Sequence, residues 1–235
     1  KGKMLRSLML EEPSTEEPKY QRHYAKFTTE RGDELEYYLI YPEKFDSSKQ
    51  YPVLMTQYSG PGSQEIANRW TTDWEETMAR NGYIVASCDA RGTGFRGEEF
   101  KKVTYANLGH AEVEDQISFA RHLSKLEFID ASRVGIYGWS YGGFMALGCA
   151  LKGEGLFKMA IAVAPVTSWR YYDSIYTEIY NGLPQDNPAG YDNNSPINFA
   201  DRLSLNTRLL IIHGTADDNV HFQNTMEMCR ALNAA

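Results

Sequence analysis

The chain has 235 residues, 42% of them hydrophobic and 23% charged, and a formal net charge of −7. That length suits one sizeable globular core, and the acidic balance offers no basic footprint for nucleic acid. No apolar run approaches the ~18 residues of a membrane span, and the three cysteines Cys88, Cys149 and Cys229 are too few and too scattered for a disulfide framework, each reading as a small buried hydrophobe.

Residues 1–18 contain the acidic, proline-bearing EEPSTEEP and read as a leader or inter-domain linker, with 19–235 as the folded domain. The chain opens at Lys1 without a signal peptide or initiator methionine and stops inside a helical pattern, as expected of a segment of a longer polypeptide. QRHYAKFTT and ELEYYLIY, separated by Glu30-Arg31-Gly32-Asp33, predict an antiparallel hairpin. YPVLMTQY follows as a strand that runs into the loop SGPGSQE. The spacing of Ile66, Trp70, Trp74 and Met78 predicts a helix over 66–80. YIVASCD (83–89) is a buried strand, followed by the glycine-loosened loop DARGTG.

Val113, Ile117, Ala120 and Leu123 recur at helical spacing within 110–127, with charges between them. RVGIYGW (133–139) is the next strand and YGGFMALGCALK the next helix. MAIAVAP forms another buried strand, SWRYYDSIYTEIYNG a helical excursion, and LPQDNPAGYDNNSP a long polar loop. RLLIIHG (208–214) is a further strand, and NTMEMCRALNAA starts a helix. Strands alternating with helices after an antiparallel opening predict an α/β domain with a mostly parallel sheet. Reactive groups in such sheets sit on loops at the carboxyl ends of strands.

One such loop carries Gly138-Trp139-Ser140-Tyr141-Gly142, the G-x-S-x-G of a nucleophile elbow. A serine there stands on a sharp strand-to-helix turn, with flanking glycines removing side chains that would collide with neighbouring backbone. The N–H of Tyr141 is placed to donate to an oxyanion, assisted by the positive end of the following helix. The serine needs a histidine as base and a carboxylate to orient it, in the chain order Ser, Asp or Glu, His. RLLIIHGTADDNVHF supplies the acid as Asp217, with Asp218 the lesser candidate and a possible cap. After Asp217 the chain holds a single histidine, His221, four positions on and without a loop of its own. His23, His110, His122 and His213 precede the acid, so the triad histidine is expected outside these residues. A rival reading makes His213, Asp217 and His221 a metal site with ligand types that suit zinc.

GWSYGG, HGTADDNVHFQN, AVAPVTSWRYYDSIYTE, YSGPGSQE and DARGTG, in that order-bearing set, resemble the catalytic domain of the dipeptidyl peptidase IV group in the prolyl oligopeptidase family of serine peptidases. The resemblance runs from about Tyr51 to the end of the chain and implies the α/β-hydrolase fold. It implies that Ser140 is the nucleophile and Asp217 the triad acid, and that Tyr58 joins the Tyr141 N–H in the oxyanion hole. It makes Tyr141, Val166, Trp169, Tyr172, Tyr176 and Val220 a proline-accepting pocket, and Asn219 a donor to a substrate carbonyl. Trp169, Tyr172 and Tyr176 also share one face if helical, a spacing that serves a core equally well.

The resemblance further implies peptide substrates with proline second, removal of Xaa-Pro dipeptides, no metal or organic cofactor, an extracytoplasmic setting and possible homodimers. It places the histidine about thirty residues beyond the acid, past Ala235, and puts the propeller that grips substrate N-termini upstream of this domain. The family's Thr-Glu-Arg after the pocket helix reads Thr177-Glu178-Ile179. An esterase or acylaminoacyl-type peptidase on the same fold, and a catalytically silent binding domain, stand as alternatives.

Overall fold

The computed structural model describes residues 20–68 and 74–235. The linker assigned to 1–18 therefore lies outside the described residues, as do 69–73 in the middle of the helix predicted over 66–80.

Among the described residues, seven strands form one sheet in the order β1-β2-β4-β3-β5-β6-β7. β1 (Arg22–Thr28) and β2 (Glu34–Ile40) make the expected hairpin, turning at Gly32 with φ 95°. β2 also pairs antiparallel with β4 (Ile84–Cys88). β3 (Tyr51–Thr56), β5 (Ile129–Trp139), β6 (Met159–Val163) and β7 (Arg208–Ile212) run parallel to β4 and to one another. This is the mostly parallel α/β-hydrolase sheet with an antiparallel opening that the sequence predicts.

Parallel neighbours need crossover connections, and helices supply them. α1 (Glu75–Arg80) links β3 to β4, while α2 (Glu98–Lys102) and α3 (Ala111–Leu123) link β4 to β5. α4 (Tyr141–Lys152) leads to β6, α5 (Ser174–Asn181) and α6 (Pro188–Asp192) lead to β7, and α7 (Gln223–Ala234) follows. Covered on both faces, β4 is buried along its whole length, which explains its unbroken apolar run. β1 and β7 are the sheet edges and expose more, including half of Leu210 and Ile212.

α4 is buried at every residue from Tyr141 to Leu151, so its sequence shows no polar face. Its small residues let neighbours approach: a Cβ on Gly148 would stand 2.9 Å from Val113 of α3. Trp139, Val163 and Ile212 lie level across β5, β6 and β7. The loops that begin after them, one with Ser140 and one with Asp217, therefore open on the same carboxyl edge.

Several short elements depart from the reading of the sequence. Ile66 lies in irregular chain, and the described helix there spans only Glu75–Arg80. β5 starts at Ile129 rather than Arg133. α2 and α6 were not predicted, and the stretch taken as polar loop contains α6 and runs into a 3-10 segment over Pro196–Arg202. Each is five to seven residues long, too short for periodicity to register.

Candidate active site

Ser140 occupies the turn between β5 and α4 with φ 60° and ψ −115°. A side chain there is strained, of order 1–3 kcal/mol, and such strain persists only where surroundings over-determine it. Here the Ser140 N–H donates to Val163 O at 2.9 Å, and its carbonyl accepts the first helical bond from Phe144 at 3.0 Å. The glycines answer to contact. A Cβ on Gly138 would overlap the Gly142 carbonyl, one on Gly142 would stand 2.5 Å from Gln57 O, and one on Gly143 2.7 Å from Val163 O. Ser140 is left half-buried at the sheet edge rather than sealed inside the helix.

Tyr58 comes from the loop after β3, which the elbow glycines allow to pass close. Its hydroxyl interacts with the Ser140 side chain; burial raises the phenol's pKa, and this hydrogen bond opposes the rise. Tyr58, Ser140, Tyr141, Val166, Trp169, Tyr172 and Tyr176 together line one small cavity. Its rings are in mutual contact, with centroids 5.5 Å apart for Tyr141–Trp169 and for Tyr172–Tyr176, and 6.2 Å for Trp169–Tyr176. Val166 and Trp169 are almost wholly buried, while Tyr58 is 36% exposed at the mouth.

The three aromatics do not share one helical face. Trp169 lies in a 3-10 turn over Trp169–Tyr171, and Tyr172 is extended with φ −115° and ψ 165°. Asp173 then caps α5, its carboxylate accepting from the Tyr176 N–H at 2.7 Å. The rings converge because the chain breaks and re-enters a helix, not because a helix continues.

Asp217 sits on the loop after β7, with its Oδ1 accepting from the N–H groups of Asn219 and Val220, each at 3.0 Å. Oδ1 is thereby fixed and Oδ2 presented elsewhere. Val220 is buried beneath this loop and is absent from the cavity lining; Asn219 joins the cavity through Tyr172, whose hydroxyl donates to its Oδ1 at 2.8 Å.

The five histidines are engaged elsewhere. His213 lies 3.5 Å from Asp217 Oδ2, yet its ring is buried and both nitrogens are occupied, at 2.7 Å by Thr225 and 2.7 Å by Val220 O. His221 lines an open cavity with Arg170, Asp173 and Asp218. His122 stacks on Phe27, His110 faces Glu114, and His23 packs on Tyr41. The rival metal site is not formed: among the described residues no three His, Cys, Asp or Glu side chains converge as ligands.

A sequence model described as the prolyl oligopeptidase family matches residues 70–235. The chain belongs to the prolyl oligopeptidase family. A "Probable dipeptidyl-aminopeptidase B" of Trichophyton verrucosum is 49% identical over 89% of this chain and 23% of its own length. A protein of the same name from Sclerotinia sclerotiorum is 48% identical over 87% and 22%. The crystal structure of Porphyromonas gingivalis dipeptidyl peptidase 4 matches with a TM-score of 0.89 at 47% identity, over 92% of this chain and 30% of its own. The chain thus spans about a quarter of the length of the curated relatives it matches.

Within this prolyl oligopeptidase domain, four buried polar residues around the elbow escaped the sequence reading: Gln57, Ser59, Glu112 and Gln116. Glu112 and Gln116 were taken as charged and polar filler between the apolar positions of α3. The available signal was their spacing, since 112, 116 and 120 fall on one helical face and Ala120 is apolar.

Proposed function

We propose that this chain is the catalytic domain of a serine peptidase that removes Xaa-Pro dipeptides from the N-termini of peptides through an acyl-enzyme. The observation that carries this reading is the aromatic cavity opening beside Ser140, lined by Tyr58, Tyr141, Val166, Trp169, Tyr172 and Tyr176. A flat, apolar box of this kind accepts a pyrrolidine ring and leaves the following carbonyl at the serine. The names of the relatives, a dipeptidyl-aminopeptidase and a dipeptidyl peptidase, support release of dipeptides from peptide substrates.

In this reading Ser140 Oγ attacks the carbonyl carbon after proline and gives its proton to an imidazole contributed from beyond these residues. Asp217 Oδ2 orients that imidazole. The tetrahedral oxyanion takes hydrogen bonds from the Tyr58 hydroxyl and the Tyr141 N–H, where charge develops in the transition state. Collapse breaks the C–N bond, the imidazolium protonates the departing amine, and water then hydrolyses the Ser140 ester by the same route. The Asn219 amide donates to the carbonyl of the residue before proline. Recognition of the free N-terminus, which makes the cut a dipeptide release, falls to parts of the protein outside this domain.

The test compares hydrolysis of Gly-Pro and Gly-Ala arylamides and an acyl ester by the full-length protein. The reading predicts strong preference for proline. Equal rates for alanine, or turnover of the ester alone, would favour the acylaminoacyl or esterase alternative, and absence of any turnover by the folded protein would favour a binding domain.

A further inference from the structure

We infer that Glu112 and Gln116, one turn apart on the buried face of α3, are positioning residues that hold the two oxyanion donors in register with Ser140. This rests on the roles given above to Ser140, Tyr58 and Tyr141. Both side chains are fully buried, a costly placement for a carboxyl and an amide that their bonds offset, at both oxygens of Glu112 and at Nε2 but not Oε1 of Gln116.

Glu112 holds the first donor. Its Oε1 accepts from the Tyr141 hydroxyl at 2.6 Å, and both oxygens lie 3.1 Å from the Gly109 N–H. Gly109 turns the chain into α3 at φ 84°, and a Cβ there would strike the ring of Phe144. The carboxyl is thus tied to its own helix start and to the first residue of α4. Tyr141 is consequently anchored at the far end of its side chain, which fixes the residue whose N–H was assigned above as an oxyanion donor. The Phe144 and Trp169 rings press on the same phenol, with centroids at 5.2 and 5.5 Å. Burial pushes the Glu112 carboxyl up to about 7, and the hydrogen bond from Tyr141 works against that rise.

Gln116 holds the second donor through a directed chain. Its Nε2 donates to Cys88 O at 2.8 Å and to Ser59 Oγ at 3.0 Å. Ser59 Oγ in turn donates to Gln57 Oε1 at 3.1 Å, and Gln57 Nε2 donates to Gly142 O at 2.9 Å. Tyr58 lies between Gln57 and Ser59, and Ser59 itself has φ 61°, a strained setting for a side-chain-bearing residue. The chain of bonds therefore clamps the backbone on both sides of Tyr58 and stitches it to the elbow helix. One helix face supports both donors, so a displacement of α3 would disturb them together. An error of about 1 Å at such a site costs on the order of 10²-fold in rate.

The test uses the full-length protein, the four single variants Glu112→Leu, Tyr141→Phe, Gln116→Leu and Tyr58→Phe, and the two double variants that pair the first two and the last two. It reads kcat and KM for a Gly-Pro arylamide and the affinity of a prolyl boronate, whose tetrahedral adduct mimics the oxyanion. Glu112→Leu, which has no acceptor for the Tyr141 hydroxyl, is expected to lower kcat and boronate affinity together by about 10- to 100-fold, with KM changing far less. Tyr141→Phe removes the same bond from its other end by deleting one oxygen, so it should match that loss, and the double variant should lose no more than either single one. Gln116→Leu should lower the rate in the wild-type background and add nothing in Tyr58→Phe. The inference is overturned if folded Glu112→Leu and Tyr141→Phe keep wild-type kcat and boronate affinity, or if their losses multiply. A wild-type protein that neither turns over the arylamide nor binds the boronate would instead overturn the peptidase reading itself.

Discussion

The Tyr172 hydroxyl donates to Asn219 Oδ1 at 2.8 Å, joining the aromatic box to the loop that carries Asp217. With Oδ1 turned to the Tyr172 hydroxyl, the Asn219 amide has its Nδ2 hydrogens to offer to a substrate, which suits a carbonyl partner. Asn219→Asp replaces that donor with an acceptor and sets it against the substrate carbonyl. It should lower kcat/KM for a Gly-Pro arylamide by about 10- to 100-fold, the scale of one unmade buried hydrogen bond. Tyr172→Phe, which frees the amide to rotate, should lose less. Steady-state kinetics on the two variants checks the order, and an Asn219→Asp variant as active as wild type would remove Asn219 from substrate binding.

Tyr58 contributes one hydroxyl at the mouth of the cavity, within reach of Ser140. Tyr58→Phe in the full-length protein should lower kcat by about 10²–10³, the usual cost of one lost oxyanion donor. An unchanged kcat would mean that the hydroxyl interacts with Ser140 only in the resting state.

The backbone at Ser140, with φ 60° and ψ −115°, makes a stability prediction separate from chemistry. Glycine tolerates that conformation and alanine does not, whereas glycine also loses more freedom on folding. With about 1–3 kcal/mol of strain relieved, Ser140→Gly should melt above Ser140→Ala, both being inactive. Calorimetry on the pair decides, and a less stable Ser140→Gly would show that the turn is unstrained.

How much of this site was legible in the sequence depended on the length of the signal. The β4 strand and the all-apolar α4 are buried elements whose composition leaves few alternatives, whereas β6, read as buried, is so only at Ala160 and Ala162; the elbow glycines follow from the need for bare backbone. Trp169, Tyr172 and Tyr176 were grouped through the family resemblance, and the single helical face that their spacing allowed is not formed. Asp173, a capping residue inside the supposed helix, marks the break that the spacing argument passed over. Val220, assigned to the pocket by the resemblance, is buried with its N–H donating to Asp217 Oδ1 and does not line the small cavity at Ser140. Glu112 and Gln116 were not recognised because a carboxyl or amide in a mixed helix reads as solvated surface. Only the fold, by burying that face under Tyr141 and Ser59, gives them work.

Glu112 also sets a pH dependence. Its ordinary value of 4.5 is raised to about 7, chiefly by burial and in part by nearby Asp115. Tyr141 donates to it, and Tyr176 and Lys152 lie within its field. Between those two values the folded protein holds a proton that the unfolded chain has released, so stability falls as pH rises and levels off above about 7. The contribution is on the order of 3 kcal/mol. Glu112→Gln, which cannot ionise, lacks it. The melting temperature of wild type relative to this variant should therefore drop between pH 5 and pH 8; a constant difference would mean that Glu112 does not titrate in that window.

That Ser140 is a nucleophile at the rim of this aromatic cavity is tested by labelling the full-length protein with a fluorophosphonate and mapping the adduct by mass spectrometry. One adduct is expected, on Ser140, and its formation should be blocked by a prolyl inhibitor. Labelling at another residue, or none on a folded protein, would contradict it.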